Sequence, residues 1–259
     1  MTHEAVLHCG VLGPIEARVD TSPLSLRRME RALLTRLVLA DGHALSASQL
    51  VNDLWGETPP ANPVNALRVI ASRLRKALAD AADALETVAC GYRFAVRSSA
   101  VDAIAFDRLV AAGRTAAACG DHEDAASRLR DALDLWRGPA LADLIDVPFA
   151  AAHAARLDSE RLAVIEERND ADLACGRHRH LVGELEALTV QHPLRERLWA
   201  QLMIARYRCD RQADALRAYT QLRGMLIDEL GIEPCPPLQR LEAAIIRQDP
   251  IIDLQPLTA

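Results

Sequence analysis

The sequence predicts a mainly α-helical protein with small β elements, divided into two parts. Half of its residues are hydrophobic but only 3% are aromatic, so alanine, leucine and valine must fill the core, and alanine and leucine favour helices. Short segments typical of strands occur within the first 98 residues, whereas the chain from Val101 onward is almost wholly helical in pattern. We therefore expect domains at residues 1–98 and 99–250, followed by a tail at residues 251–259.

The first domain is expected to begin with two strands and two helices. Ala5 to Leu12 predicts one strand, and Ile15 to Asp20 alternates apolar and polar residues as a half-buried strand does. A helix is expected from about Leu26 to Ala40. A second, shorter helix is expected after Ser46, and Gly56 is a suitable residue to end it.

The third predicted helix, Asn62 to Leu78, has two chemically different faces. Asn62 followed by Pro63 is a common helix start. At helical spacing, one face is apolar and carries Leu67, Ile70, Ala71, Leu74 and Leu78. The opposite face carries Asn65, Arg68, Ser72, Arg73 and Lys76, with Arg75 at its edge. Because four cations fall within nine residues with no acidic residue among them, the exposed face suits a negatively charged partner.

A hairpin is predicted after this helix, from Thr87 to Val96, with its turn near Cys90 and Gly91. Its alternating faces carry Tyr92, Phe94 and Val96 on one side and Arg93 and Arg97 on the other. Strands, three helices and a closing hairpin are the components of a winged helix-turn-helix, in which the third helix enters the major groove. An isolated basic amphipathic helix is more often a solvated surface helix, but its place before this hairpin favours DNA binding.

The segments SRLRKAL and ETVACGYRF resemble the recognition helix and wing of OmpR/PhoB-type DNA-binding domains. The resemblance implies that the basic helix contacts bases and phosphates and that the hairpin contacts the DNA backbone. The expected DNA-binding residues are Asn65, Arg68, Ser72, Arg73, Arg75, Lys76, Thr87 and Tyr92, to which the exposed face of the hairpin adds Arg93. The loop that meets RNA polymerase in this class corresponds to Gly56, Glu57, Thr58, Pro59 and Pro60.

The second part of the chain repeats a helix–turn–helix pattern. Similar turns occur at Cys119–His122, Cys175–His178 and Cys209–Gln212. The last two are 34 residues apart, which is the tetratricopeptide period, and the first two are 56 apart, so a longer helix or an insertion is expected between them. Helix pairs of this kind bury their faces by stacking. The pattern predicts an all-α, tetratricopeptide-like array.

Three strings in this part resemble the bacterial transcriptional activator domain: LWRGPALADL from Leu135, HPLRERLWAQLMIARYR from His192, and ELGIEPCPPLQRLEAAIIRQDP from Glu229. Together with an OmpR-like winged helix, they make the chain similar to the Streptomyces antibiotic regulatory protein (SARP) family over about residues 5–250. The resemblance implies an activator of a biosynthetic, secondary-metabolite gene cluster. It also implies a side-by-side homodimer on direct repeats in double-stranded promoter DNA and a contact with RNA polymerase.

Catalytic, metal-binding and membrane functions are not expected. The motifs G-x-S-x-G, H-E-x-x-H, G-x-G-x-x-G and G-x-x-x-x-G-K-[ST] are absent, and the six cysteines form no C-x-x-C pair. We therefore expect no enzyme activity, cofactor or metal, and a small family member or a fragment with only the two shared domains. The acidic residues Glu166, Glu167, Asp170 and Asp172 are predicted to form a solvated helix face. No apolar run of about 18 residues occurs, and a cytoplasmic, nucleoid-associated protein is expected.

A second interpretation stays open, in which the protein is a tetratricopeptide-type interaction scaffold with a winged helix that no longer binds DNA. The net charge of −6 favours it. So does the wing tip, where Ala89 and Cys90 stand in place of the arginine that is common in relatives. This interpretation predicts normal folding and partner binding without binding to any promoter fragment.

Overall fold

The computed structural model describes residues 7–95 and 100–250. The strands are β1 (Leu7–Gly10), β2 (Glu16–Val19), β3 (Ser22–Pro23), β4 (Leu45–Ser46), β5 (Leu85–Val88) and β6 (Gly91–Phe94). The helices are α1 (Arg28–Val38), α2 (Ala47–Trp55), α3 (Pro63–Leu78), α4 (Asp102–Ala118), α5 (His122–Leu133), α6 (Pro148–Ala174), α7 (His178–Gln191), α8 (Glu196–Tyr207), α9 (Gln212–Leu230) and α10 (Pro236–Arg247). The predicted fold class, mainly helical with small sheets near the N-terminus, is confirmed.

The described residues form two compact units. One unit contains the residues up to Val110 together with Asp131–Leu162. The other contains Ala111–Arg130 together with the residues from Ala163 onward. A stretch of the region expected to serve activation thus lies in the same unit as the predicted DNA-binding elements.

Two three-stranded antiparallel sheets and three helices build the N-terminal portion of the first unit. Strand β2 lies between β1 and β3, with Cys9 opposite Ala17. Strand β6 lies between β4 and β5, with Tyr92 opposite both Leu45 and Thr87. Helices α1, α2 and α3 contact one another, and α1 and α2 contact β6. Their fully buried side chains include Leu33, Leu37, Leu50, Leu67, Leu74 and Phe94.

The residues from Asp131 to Leu162 add an aromatic cluster to the first unit. Trp136 packs edge-on against Phe106, with ring centroids 5.6 Å apart. The guanidinium of Arg161 lies 4.9 Å from the centre of the Trp136 ring, which is a cation–π distance. The tryptophan of the LWRG string is therefore a core residue of this unit.

The second unit is an array of packed helices. Helix α8 contacts α7 and α9, and α10 contacts α8 and α9. The three predicted turns are confirmed, and each has a residue with positive φ: Gly120 at 78°, Gly176 at 74° and Asp210 at 63°. Small side chains form part of the core, where Ala116, Ala125, Ala126 and Ala171 make a buried cluster. Short side chains allow close helix approach, which accounts for a core with few aromatic residues.

One prediction about this unit was wrong. Glu166 and Asp172, which were expected on a solvated face, are 1% and 4% exposed. Arginine side chains contact them: Arg195 donates to Glu166 at 2.7 Å, and Arg177 donates to Asp172 at 2.9 Å. Helical spacing places acidic residues on one face, but it does not reveal which helix packs on that face.

No helix within residues 7–95 or 100–250 is both long and apolar enough to cross a membrane. The expected strand start at Ala5 and the hairpin residues Val96 and Arg97 lie outside the described residues.

Candidate nucleic-acid interface

Helix α3 begins at the predicted residue and packs with its predicted apolar face in the core. The Asn62 side chain accepts a hydrogen bond from the Asn65 backbone N–H at 3.1 Å, and Pro63 occupies the first turn. The buried side chains of the helix are Leu67, Ile70, Ala71, Leu74 and Leu78. This apolar stripe holds one face in the core of the unit, so the opposite face is presented outward.

The outward face of α3 carries cations without acidic partners. Asn65, Arg68, Ser72, Arg73 and Lys76 are all exposed. Among the described residues, the side chains of Arg68, Arg73 and Lys76 have no ion pair or hydrogen bond. Uncompensated cations on a rigid helix create a local positive potential, which attracts a polyanion despite the acidic net charge of the chain.

Arg75 differs from its neighbours because its guanidinium is already engaged. Its Nε and Nη2 donate to the Leu85 carbonyl at 3.1 and 3.0 Å, and Nη2 also donates to Thr87 Oγ1 at 2.5 Å. The same group lies 5.8 Å from the centre of the Tyr92 ring. Arg75 thus ties the end of α3 to the hairpin and fixes the relative position of two expected DNA-contacting elements.

The hairpin presents its predicted residues unequally. Tyr92 is 7% exposed, so most of its ring packs inside the unit, whereas Thr87 is exposed. Arg93 is exposed but donates to Glu86 on the neighbouring strand at 2.8 and 2.5 Å. A phosphate would have to compete with Glu86 for this guanidinium.

Two exposed apolar residues of α3 were not among the predicted contacts. Val64 is 44% exposed and Val69 is 41% exposed, on the same side as the cations. An exposed apolar group on a helix in the major groove can contact a thymine methyl group. Their position outside the apolar stripe was the signal in the sequence that could have identified them.

The loop before α3 is accessible. Glu57, Thr58, Pro59 and Pro60 are exposed. Gly56 begins the loop with φ of +56°, a conformation that favours glycine, and the Thr58 hydroxyl donates to the Trp55 carbonyl at 3.2 Å. The loop therefore has a defined start and an outward-facing surface.

Comparison with known proteins gives two family matches. The bacterial transcriptional activator domain matches residues 101–246, and the C-terminal domain of transcriptional regulatory proteins matches residues 21–94. The regulatory protein DnrI of Streptomyces peucetius is 39% identical over 257 residues, covering 95% of this chain and 94% of DnrI. The regulatory protein AfsR of Streptomyces coelicolor is 43% identical over 250 residues, covering 95% of this chain but 25% of AfsR.

A solved structure matches the same fold. Mycobacterium tuberculosis EmbR, in complex with a low-affinity phosphopeptide, superposes with a TM-score of 0.92 at 38% identity. The superposition covers 95% of this chain and 66% of the EmbR chain. With the activator-domain match over more than half of its length and DnrI matched almost end to end, the chain belongs to the Streptomyces antibiotic regulatory protein family of transcriptional regulators.

Proposed function

We propose that this protein is a sequence-specific regulator that binds double-stranded promoter DNA and activates transcription of a biosynthetic gene cluster. The observation that carries the proposal is the outward face of α3, where Arg68, Arg73 and Lys76 have no partner among the described residues. A cationic helix with a buried apolar stripe is the element that winged helices insert into a major groove. The protein acts in the cytoplasm, where its DNA is.

The proposed DNA contacts are of two kinds, to base edges and to phosphates, and the position of a residue on α3 or on the hairpin decides which it makes. Arg68, Ser72 and Arg73 read base edges, with Asn65 near them, and Lys76 holds a phosphate. Arg75 and Thr87 contribute by holding the hairpin in place through the bond between them. Either residue contacts phosphate only through donor groups that its bonds within the protein leave unused. Arg93 contacts phosphate when it exchanges Glu86 for the DNA.

The finer features of the proposal rest on family membership. Two protomers lie side by side on direct repeats, and the loop Gly56–Pro60 contacts RNA polymerase. The exposure of Glu57 to Pro60 supports the second contact. Residues 1–98 serve DNA binding and residues 99–250 serve activation, although part of the second region lies in the first structural unit.

The test is a footprint of the purified full chain on promoter fragments from its own gene neighbourhood, with binding measured at several salt concentrations. About five phosphate contacts per protomer predict an affinity loss of roughly two to three decades between about 50 and 200 mM salt. Protected direct repeats together with that slope support the proposal. Salt-insensitive binding argues against a phosphate-dominated contact.

The second candidate, a scaffold whose winged helix no longer binds DNA, gives a different result in the same experiment. It is favoured by the engagement of Arg75 and Arg93 with other protein groups, which leaves fewer cations for DNA. It predicts a folded chain with no protected sequence on any promoter fragment. The three cations of α3 that have no partner among the described residues favour the first candidate.

A further inference from the structure

A segment of the region matched by the activator domain, residues 137–148, runs along three elements of the first unit. At its start, the Arg137 backbone N–H donates to the Leu12 carbonyl at 2.8 Å. The Leu141 backbone N–H donates to the Val11 carbonyl at 3.2 Å. These bonds attach the segment to the turn that joins β1 and β2.

The Arg137 side chain extends this attachment. Its guanidinium donates to Asp102 Oδ2 at 2.9 Å and to the Pro14 carbonyl at 3.1 Å, and it pairs with Glu16 at 2.8 Å. It lies directly over β1, because a Cβ added to Gly10 would come within 2.2 Å of Arg137 Nη2. Glycine at position 10 therefore provides the space that this guanidinium occupies.

Asp102 completes the attachment from the start of α4. Its carboxylate accepts the Val11 backbone N–H at 2.8 Å and the Leu12 backbone N–H at 3.0 Å, besides the bond from Arg137. The Asp102 side chain is 14% exposed. With the Ala103 backbone N–H, which donates at 2.8 Å, this largely buried carboxylate accepts from four donors, and its removal would leave them without that acceptor.

The middle of the segment contacts α1. Asp143 Oδ1 accepts the Ile15 backbone N–H at 2.9 Å, and Asp143 Oδ2 pairs with Arg31. Asp146 pairs with Arg28 one turn earlier on the same helix. Two carboxylates thus hold the segment against the first turn of α1, which in turn contacts α3.

The end of the segment reaches the loop that leads into α3. A Cβ added to Gly56 would lie 3.1 Å from Pro148 Cγ, so the proline ring packs directly on this loop residue. Gly56 is six residues before Asn62, the N-cap of α3. The 137–148 segment therefore contacts the first sheet, α1 and the entry to the basic helix.

We propose that the 137–148 segment is a structural part of the DNA-binding unit, and that Asp102 and Arg137 are positioning residues that hold it there. The DNA-binding module then extends beyond residues 7–95, and the activator region has a second task besides activation. The structural part of this inference is independent of the proposed function, whereas its effect on DNA affinity rests on it.

The experiment compares the full-length wild type with the variants Arg137→Met, Arg137→Lys and Asp102→Ala. Hydrogen exchange by mass spectrometry is followed in Leu7–Val19 and in α7 to α9, and affinity for the footprinted promoter fragment is measured well below the unfolding temperature. The matched control is Arg217→Met, which removes an exposed arginine paired with Asp214 in the other unit.

Arg137→Met should raise exchange in Leu7–Val19 about tenfold, because a charge-assisted attachment is lost from the turn. Exchange in α7 to α9 should stay at the wild-type value. The DNA affinity of Arg137→Met should fall about three- to tenfold, while the amides of α3 keep their protection from exchange. Because lysine keeps the positive charge, Arg137→Lys should recover part of the lost protection in Leu7–Val19 and part of the lost DNA affinity. Asp102→Ala should have the larger effect; if it fails to fold, Arg137→Met decides alone.

Unchanged exchange in Leu7–Val19 in Arg137→Met would overturn the structural inference. Raised exchange with wild-type DNA affinity would show that the two residues stabilise the turn without positioning the DNA-binding surface, which overturns that half of the proposal. Should the wild type itself bind no promoter fragment, the proposed function fails, and the exchange data still decide whether the segment belongs to the unit.

Discussion

Arginine has opposite roles in two regions of this molecule. In the second unit, arginines neutralise carboxylates that the helices bury: Arg195 contacts Glu166, and Arg130 and Arg177 both contact Asp172. On α3, Arg68 and Arg73 have no carboxylate partner among the described residues. One region uses guanidinium groups for the fold, and the other leaves them available to a ligand.

This contrast shows where a charge can contribute to function. A buried carboxylate is costly to leave without a partner, so the arginines that cover it are committed to stability. An exposed cation without a partner costs almost nothing and adds to the local potential. Net charge and arginine content therefore say little about DNA binding, and the pairing of each arginine says much more.

The strongest test of this comparison is Arg195→Met. Among the described residues, Glu166, which is 1% exposed, would then keep Arg197 at 4.0 Å as its one ion-pair partner. Leaving a buried charge without its partner costs about 3 to 5 kcal/mol, and we expect a loss of about 3 kcal/mol because Arg197 remains. Urea unfolding of the full chain measures it.

The matched control is Arg217→Met, since the Arg217 side chain is 78% exposed and its partner Asp214 is only partly buried. Ion pairs that water reaches contribute little to stability, so the unfolding midpoint of this variant should barely move. Equal losses for Arg195→Met and Arg217→Met would mean that burial of Glu166 does not govern the stability of this region.

The start of α3 and the face that it buries could be predicted from the sequence, but the roles of individual arginines could not. The apolar stripe and the Asn62–Pro63 start are local signals, and both are confirmed. Arg75 bonds to Leu85, which is ten residues away and on another element. Glu166 is covered by Arg195, which is 29 residues away. A helical periodicity identifies the faces of one helix, whereas these pairings depend on which elements meet.

Arg73→Ala tests the other side of the comparison. Arg73 is exposed and has no partner among the described residues, so the free energy of unfolding should not change. If Arg73 contacts a base, DNA affinity should fall by about 1 to 3 kcal/mol and the preference at that base pair should relax. Gel-shift titrations with a set of operator variants measure both.

The control for Arg73 is Arg128→Ala, because Arg128 lies on α5 and pairs with Asp124. This variant should bind DNA as the wild type does. A uniform loss of affinity across all operator variants of Arg73→Ala would identify a phosphate contact instead. Unchanged affinity and preference would place Arg73 outside the DNA-contacting surface.

Arg75→Met sharpens the distinction within α3 itself. Its loss removes the bonds to Leu85 and Thr87, so we expect the unfolding free energy to fall by about 1 to 2 kcal/mol. DNA affinity should fall as well, because the hairpin loses its attachment to the helix. Wild-type stability combined with weaker DNA binding would instead assign Arg75 to a direct DNA contact, as the family resemblance implied.

The stability of the second unit should depend weakly on pH through Asp170. Burial raises the pKa of this carboxyl, while Arg197 and Gln201 oppose the shift by hydrogen bonding to it. A carboxyl with a higher pKa in the folded state binds more protons there than when unfolded, so its contribution to stability declines as pH rises through the folded pKa.

Asp170→Asn removes this contribution. In urea titrations between about pH 4.5 and 7.5, the wild type should gain stability relative to Asp170→Asn as pH falls. A difference that stays constant over that range would mean that Arg197 and Gln201 fully offset the burial of the carboxylate.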